Sequence, residues 1–326
     1  MKSFDYIQAK TLQEASKALG QNWQESLPYA GGTDLYSMVK HGLVTPKKLV
    51  NLKVLPGIDK IEYSPKSGLK IGSIVKISEI VNHEIIREKY QVLAQAASEV
   101  ASPQLRNMGT IGGNICQRPR CWYFRGEFEC LRKGGETCYA VGAENKYHCI
   151  IGGDPCFIVH PSDTAVALLA LDAQVTITNS GGSKTIPMRE FFILPHKNVH
   201  RENILLPGDI LSAITIPILS KNSSSAYIKV KERGAWDFAI VSIAAVIQSS
   251  QGMIRFGKIA FGGVAPIPWF DETPSAQLKN LAVSKQNFDK LSESVLKEAY
   301  PLNQNAYKHT LAKNLTRRIL TDLSEN

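Results

Sequence analysis

Residues Cys116–Cys156 read CQRPRCWYFRGEFECLRKGGETCYAVGAENKYHCIIGGDPC, and all six cysteines of the 326-residue chain lie in this stretch. A fold held by disulfides spreads its bridges along the chain, because long closed loops gain most from a cross-link. Thiolates gathered in one segment are instead typical of soft-metal chemistry, in which several sulfurs bind one metal centre. The stretch therefore predicts a metal-binding segment.

The cysteine spacing Cys121-x8-Cys130-x7-Cys138-x17-Cys156 contains no CxxC pair, so it differs from zinc ribbons and zinc fingers. Cys116-x4-Cys121 begins like a plant-type ferredoxin motif, but no cysteine follows two residues later. Wide, irregular spacing suits a [4Fe–4S] cluster that takes its ligands from a long loop. From the spacing alone, an iron–sulfur cluster, a zinc ion and free thiols all remain open.

Basic residues accompany these cysteines. Positive charge nearby stabilises thiolates and a negatively charged cluster. The alternative is a solvated basic loop or a surface for a partner. The residues concerned are Arg118, Arg120, Arg125, Arg132 and Lys133.

The composition is that of an ordinary globular protein, with 44% hydrophobic and 21% charged residues. The net charge of +9 permits an acidic partner. The lysines are scattered and no aromatic–basic platform accompanies them, so nucleic-acid binding is not expected. No apolar run is long enough for a membrane span, and the first residues do not resemble a signal peptide. The expected compartment is the cytoplasm, where clustered thiols stay reduced.

Hydrophobic patterning predicts a small βαβαβ unit at the start of the chain. A capping box at Thr11–Glu14 opens its first helix, which ends at Gly20. Further helical patterning covers 78–98, and an amphipathic helix over 303–323 closes the chain, with Lys308 off its apolar side. The polar run at 220–225 predicts a domain boundary.

Two glycine-rich turns, Ala30–Leu35 and Arg106–Asn114, combine paired glycines with a threonine hydroxyl. Glycine lets backbone amides approach an anion closely, so two such turns predict a dinucleotide with two phosphates, although plain turns remain the alternative. A GxGxxG motif is absent, and the P-loop-like Gly252–Lys258 lacks the required Ser or Thr and lies in strand patterning. The seven histidines form no HExxH motif, and no acid–base constellation is evident. These features together indicate an electron-transfer protein.

Five short motifs, in this order, resemble the FAD-binding medium subunit of the molybdenum hydroxylases, the family of xanthine dehydrogenases and aldehyde oxidoreductases. The resemblance covers nearly the whole chain. The long cysteine segment is similar to that of the subgroup whose flavin subunit carries an extra [4Fe–4S] cluster, and most closely to the aldehyde oxidoreductase type. The motifs are Ala30–Leu35, Thr110–Asn114, His160–Asp163, Leu206–Leu211 and Tyr227–Arg233.

This resemblance implies an α+β fold: a p-cresol methylhydroxylase-like, two-lobed FAD-binding domain followed by a C-terminal α+β domain of the CO-dehydrogenase flavoprotein type. The expected divisions are lobe 1 over 1–55, lobe 2 over 56–219 with the cysteine-rich insertion 116–156, and the C-terminal domain over 220–326.

It also implies two cofactors on this chain and assigns residues to each. Cys121, Cys130, Cys138 and Cys156 are the expected [4Fe–4S] ligands, and Cys116 and Cys149 are supernumerary. The first glycine turn would wrap the FAD pyrophosphate, and later residues would contact the flavin nucleotide. The expected FAD-binding residues are Leu27, Pro28, Tyr29, Ala30, Gly31, Gly32, Thr33, Asp34, Leu35, Thr110, Gly113, Asn114, Asp163, Leu211 and Lys229.

By the same resemblance the chain is one of three subunits. A large subunit would hold the molybdenum cofactor, and a small subunit would carry two [2Fe–2S] clusters that pass electrons to this flavin. An external acceptor would then take them, and the resemblance implies an aldehyde as the substrate that is oxidised. The alternatives are a 4-hydroxybenzoyl-CoA reductase or xanthine dehydrogenase-type complex, and a zinc-binding assembly module of another class. Export to the periplasm with a partner is the alternative compartment.

Overall fold

The computed structural model describes residues 1–325, and the strands in this part of the chain form three β-sheets. Within the same residues, no helix combines the length and the apolar character needed to cross a membrane. The sheets follow one another along the sequence, and the cysteine segment divides the second sheet, with two strands before the segment and three after it.

The first sheet is parallel, with its third strand in the centre. Thr11 caps the first helix by accepting a hydrogen bond from Glu14 N at 3.1 Å, as the capping motif predicts. Gly20 ends the helix with φ 63°. The elements are β1 (Asp5–Gln8), α1 (Leu12–Leu19), β2 (Ser26–Tyr29), α2 (Leu35–Lys40) and β3 (Lys48–Asn51).

The second sheet is antiparallel, and helices cover one of its faces. The helical patterning over 78–98 is three short helices, not one, because the backbone at His83 and Tyr90 leaves the helical region. The two breaks let the apolar side chains of all three helices enter one core. The elements up to the cysteine segment are β4 (Ile61–Ser64), β5 (Gly68–Gly72), α3 (Ile77–Asn82), α4 (Glu84–Lys89), α5 (Gln91–Ser98), α6 (Pro103–Arg106) and α7 (Ile111–Ile115).

The cysteine segment has little regular structure, and the second sheet is completed beyond it. The strand order of that sheet is β4-β5-β8-β6-β7. The remaining elements are α8 (Trp122–Arg125), α9 (Asp163–Ala170), β6 (Gln174–Asn179), β7 (Gly182–Pro187) and β8 (Ile210–Ile216).

The third sheet is antiparallel and packs against the final helix. That helix begins at Tyr307, not at 303, and the loop before it contacts the cysteine segment. Ile150 and Ile151 of that segment enter the core of this domain. The elements are β9 (Ser223–Val230), β10 (Val241–Ser250), β11 (Met253–Gly262), β12 (Trp269–Phe270), α10 (Glu272–Gln277), β13 (Leu281–Ala282), α11 (Lys285–Ser292) and α12 (Tyr307–Ser324).

Candidate functional site

The two glycine-rich turns, which are far apart in sequence, pack against each other. A Cβ added to Gly31 would lie 2.2 Å from the Met108 carbonyl oxygen and 2.9 Å from the Gly109 Cα. Gly32 has φ +71°, a conformation that favours glycine. Only a residue without a side chain allows this close backbone approach. The turns predicted as separate phosphate-binding elements therefore form one backbone-lined surface.

Hydrogen bonds connect the second glycine-rich turn to the His160–Asp163 motif and the helix that follows it. Thr110 caps α7 by accepting a hydrogen bond from Gly113 N at 3.2 Å. The Asn114 side-chain oxygen accepts hydrogen bonds from the hydroxyls of Ser162 at 2.6 Å and Thr164 at 2.7 Å. The position of α9 thus depends on the second turn.

Asp163 is buried at the start of α9, where its side chain contacts two residues of β9. Lys229 Nζ donates to one carboxylate oxygen at 2.8 Å, and the Tyr227 hydroxyl donates to the other at 2.6 Å. Burial raises the pKa of Asp163, and Lys229 opposes that shift only in part. Ser162, and not Asp163, supplies the helix cap, accepting from Ala165 N at 3.1 Å.

A cleft of about 340 Å³ opens beside Asp163, between the cysteine segment and the loop that follows β9. This volume is within the range of roughly 300–1,000 Å³ typical of small-molecule and cofactor sites. Its lining includes Arg120, His160, Asp163, Phe238 and Gly263. Of the predicted FAD-binding residues, Asp163 lines this cleft, and the second turn is linked to the cleft through the bond from Ser162, another lining residue, to Asn114.

Other predicted FAD-binding residues lie in strands, some next to the first glycine-rich turn and one in the protein core. Leu27, Pro28 and Tyr29 belong to β2, which leads into the first turn. Leu211 is a core residue of β8 and pairs with Ile177. Its side chain packs in the core, and its contact with the flavin stays a prediction.

The four cysteines named as cluster ligands line one enclosed space, here called the cysteine cavity. Neither Cys116 nor Cys149 lines it. Cys116 packs against the main core, and the Cys149 sulfur faces Gly153. The cavity is lined by Cys121, Tyr123, Phe124, Cys130, Leu131, Arg132, Cys138, Tyr139, His148, Cys156 and Ile158.

The cysteine cavity does not have the geometry of a site for one metal ion. Across residues 1–325, no three His, Cys, Asp or Glu side chains converge as ligands of a single ion. The four cysteines line one small space, of about 10 Å³, from several sides. The hydrogen bond between the Cys138 and Cys156 sulfurs lowers the pKa of Cys138 to about 6 and raises the pKa of Cys156, so this pair of thiols shares one proton.

The arginines of the cysteine segment are ion-paired, which is at odds with the interpretation of them as a solvated basic loop. Arg120 and Arg125 both contact Asp34 Oδ1 at 2.8 Å. Asp34 Oδ2 accepts a further hydrogen bond from the backbone amide of Arg118 at 2.8 Å. The carboxylate of the first glycine turn therefore faces the cysteine segment and is fully engaged there.

Like Asp34, Glu202 binds arginines of the cysteine segment. It is buried and pairs with Arg118 at 3.0 Å and Arg132 at 2.7 Å. Burial alone would raise the pKa of Glu202, but the two guanidinium groups outweigh it and hold this pKa below its usual range. The Arg132 guanidinium also lies 3.8 Å from the Cys156 sulfur, which places positive charge at the cavity wall.

Two histidines that the sequence left unassigned lie at the site. His148 Nε2 is 3.2 Å from the Cys121 sulfur, and His160 lines the cleft. Burial lowers the pKa of both imidazoles to about 4, so both are neutral near pH 7. No sequence motif marks His148, which directly precedes Cys149, whereas His160 is the first residue of the His160–Asp163 motif.

The C-terminal domain holds the far end of the cysteine segment. Asn305 Nδ2 donates to the carbonyls of His148 and Cys149, each at 3.1 Å. Lys308 Nζ donates to the carbonyls of Tyr147 and Gly263, each at 2.7 Å. The prediction that Lys308 lies off the buried side of its helix was wrong, because backbone carbonyls solvate its buried ammonium.

Two family models together cover almost the whole chain. One, described as the FAD binding domain in molybdopterin dehydrogenase, matches residues 2–219. The other, the CO dehydrogenase flavoprotein C-terminal domain, matches residues 225–323. Because the first spans well over half of the chain, family membership is established.

Full-length relatives agree with this. The aldehyde oxidoreductase FAD-binding subunit PaoB of Escherichia coli (strain K12) is 36% identical over 99% of this chain and 98% of its own. The glyceraldehyde dehydrogenase medium chain of Sulfolobus acidocaldarius is 25% identical over 98% of each chain.

A solved structure confirms the fold expected from the resemblance. The reconstituted CO dehydrogenase of Oligotropha carboxidovorans matches with a TM-score of 0.79 and 23% identity, over 99% of this chain and 98% of that chain. This likeness concerns the fold alone. The family models and the full-length relatives together show that the chain is an FAD-binding medium subunit, an oxidoreductase flavoprotein, of the molybdenum hydroxylase family.

Proposed function

We propose that this chain carries FAD and a [4Fe–4S] cluster and passes electrons from molybdenum and [2Fe–2S] partner subunits to an external acceptor during aldehyde oxidation. One observation carries the cluster assignment. The cysteine cavity is lined by Cys121, Cys130, Cys138 and Cys156, and not by the other two cysteines of the same segment. When bound, the two cofactors supply the electron storage that no side chain of this chain provides.

The residues of this chain position the flavin. The Gly31 and Gly32 backbone, packed on the second turn, leaves room for phosphate oxygens to approach main-chain amides. Asn114 accepts hydrogen bonds from Ser162 and Thr164, and these bonds hold the second turn next to the cleft. Asp163, held by Lys229, presents a buried polar group at the cleft where the flavin ring would lie.

Other groups hold the cluster and isolate it from water. Four thiolates would ligate it, and Tyr123, Phe124 and Ile158 give the cavity an apolar wall. Arg132 places a positive charge next to Cys156, which favours a negatively charged cluster. These features support an iron–sulfur centre over a zinc-binding assembly module.

The name of one relative supports the proposed substrate class. The relative at 36% identity is named an aldehyde oxidoreductase subunit, which favours an aldehyde over xanthine or a hydroxybenzoyl-CoA. The substrate itself would bind on the large molybdenum subunit. Turnover assays of the purified complex with an aldehyde, xanthine and 4-hydroxybenzoyl-CoA separate the three, and activity with either of the last two alone contradicts the aldehyde assignment.

We also propose the cytoplasm as the compartment, because six free thiols require reducing conditions until a cluster is loaded. Recovery of the complex from the periplasm would contradict this. The divisions after residues 55 and 219 stay predictions that limited proteolysis can test.

The decisive experiment is iron and flavin quantitation on anaerobically purified protein, with each cysteine changed to serine in turn. We expect about one FAD and about four irons per chain. Iron should be lost in the variants at Cys121, Cys130, Cys138 and Cys156, because a cubane cluster needs all four thiolates. The matched controls Cys116→Ser and Cys149→Ser should keep it. Zinc in place of iron, or iron loss in the controls only, would contradict the cluster assignment.

A further inference from the structure

The cysteine cavity and the cleft beside Asp163 share part of their lining. Comparison of their linings shows two residues in common, Cys121 and His148. Cys121 is one of the four proposed ligands, and the imidazole of His148 lies beside its sulfur. These two side chains, here called the partition, are therefore the part of the protein that faces both spaces.

The surroundings of His148 fix the orientation of its ring. Its amide donates to the Asn145 carbonyl at 2.9 Å, and its own carbonyl accepts from Asn305 Nδ2 at 3.1 Å. The Trp122 ring packs edge-on against the imidazole with centroids 5.2 Å apart. The ring is thus held between the cysteine segment and the C-terminal domain.

The hydrogen bonds of the ring also indicate where its proton lies. Nε2 is 3.2 Å from the Cys121 sulfur, whereas Nδ1 is buried and has no partner. A buried N–H without a partner is costly, so the single proton of a neutral imidazole belongs on Nε2. A cysteine that ligates a metal is a thiolate and has no proton to donate. The bond between them is therefore N–H to sulfur.

We propose that His148 is a positioning residue for the cluster, and that its hydrogen bond to the Cys121 sulfur raises the cluster's reduction potential. This inference rests on the proposed function. Reduction adds negative charge, which spreads onto the ligand sulfurs, and a donor on one sulfur stabilises the reduced form more than the oxidised form. Because His148 belongs to the partition, the potential is set on the side of the cluster that faces the flavin.

The test compares His148→Leu, which has no donor, with His148→Gln, whose side-chain amide can place an N–H near the Nε2 position. Cys149→Ala is the matched control, because it changes the next residue but faces away from the cavity. Each holoprotein is titrated with reductant while the EPR signal of the reduced cluster is followed, and its iron and FAD are measured. We expect His148→Leu to keep both cofactors and to show a more negative midpoint potential. His148→Gln should recover most of the shift, and Cys149→Ala should match the wild type.

An unchanged potential in His148→Leu would overturn the inference. So would equal shifts in both His148 variants, or loss of iron from both, because the retained donor would then make no difference. Failure of the proposed function is distinguishable, since a wild-type chain without iron shows it before any His148 variant is compared.

Discussion

Asp34 and Glu202 attach the cysteine segment to the rest of the subunit through arginines. Asp34 engages Arg120 and Arg125, and Glu202 engages Arg118 and Arg132. The Glu202–Arg132 pair is buried and differs from a surface pair, because removal of one partner leaves a charge with neither water nor a counter-ion. The arginines of the cysteine segment therefore attach this segment to the rest of the subunit.

Replacement of Glu202 by glutamine should destabilise the protein by about 3–5 kcal/mol, because Arg132 would be left buried without a counter-charge. Glu25→Gln is the control, since Glu25 pairs with Lys47 on the surface, and a surface pair contributes about 0–1 kcal/mol. Urea unfolding of both variants measures the difference. Equal free energies of unfolding would show that the Glu202 pairs are no stronger than a surface pair.

The free energy of unfolding should fall as the pH drops from 6.5 towards 4, in part because of His160. Burial lowers the pKa of His160 from 6.5 to about 4, so in this window the unfolded chain binds a proton that the folded chain does not. Stability is full above pH 6.5 and declines by about 1.4 kcal/mol per pH unit for each such histidine.

His160→Gln should reduce the slope of unfolding free energy against pH by about 1.4 kcal/mol per pH unit, the contribution of one proton. Unfolding at several pH values measures this slope. His41→Gln, at an exposed position, controls for loss of a histidine and should keep the wild-type slope. An unchanged slope in His160→Gln would mean that His160 is protonated in the folded protein.

At the scale of elements, the site is built where two loops meet. The first glycine turn follows β2 of the parallel sheet, and the second precedes α7 of the next lobe. The contact between them is backbone on backbone, at Gly31 against Met108 and Gly109. Their mutual position therefore depends on the absence of a side chain at Gly31.

Gly31→Ala should weaken FAD binding, because its methyl group would clash with the Met108 carbonyl oxygen. Overpacking of this kind costs about 1–3 kcal/mol, which corresponds to roughly fivefold to a hundredfold in affinity if it falls on the bound state. Flavin fluorescence titration of the apoprotein gives the dissociation constant.

Gly42→Ala is the matched control for that variant. Gly42 has φ +71° and open space around it, so alanine there strains the backbone without meeting a neighbour. It should lower stability by about 1 kcal/mol and leave FAD affinity unchanged. If both variants bind FAD equally well, the turn-on-turn contact does not shape the site.

At the scale of the whole molecule, the cysteine segment joins all parts of the subunit. It contacts the first lobe at Asp34, the second at Glu202, and the C-terminal domain at Asn305 and Lys308. Ile150 also enters the C-terminal core. The segment is thus part of the packing between domains and not an appended loop.

Lys308→Ala should loosen this attachment. The carbonyls of Tyr147 and Gly263 would lose their donor, at about 1–3 kcal/mol for each buried group left unbonded. Hydrogen exchange of amides 145–149 should accelerate by roughly tenfold or more. Lys313→Ala, on the same helix as Lys308, removes a surface ion pair with Glu293 and should leave that exchange unchanged. Equal protection in the two variants would contradict a role for Lys308 in holding the segment.

The sequence by itself determined the family and the two-part α+β fold. These follow from short motifs, in which a glycine, a cap or a thiol acts through its own local chemistry, so the residue type is informative without a neighbour. The capping at Thr11 and Ser162 is of this kind.

The tertiary structure alone decided which charges pair and which residues separate the two spaces. Asp34 looked like part of a phosphate turn and Lys308 like a surface residue, yet both are bound to the cysteine segment. His148 has no motif and gains its position only when the segment folds back to Cys121. Pairings between residues far apart in sequence depend on how the lobes pack, and periodicity along one element carries no record of that packing.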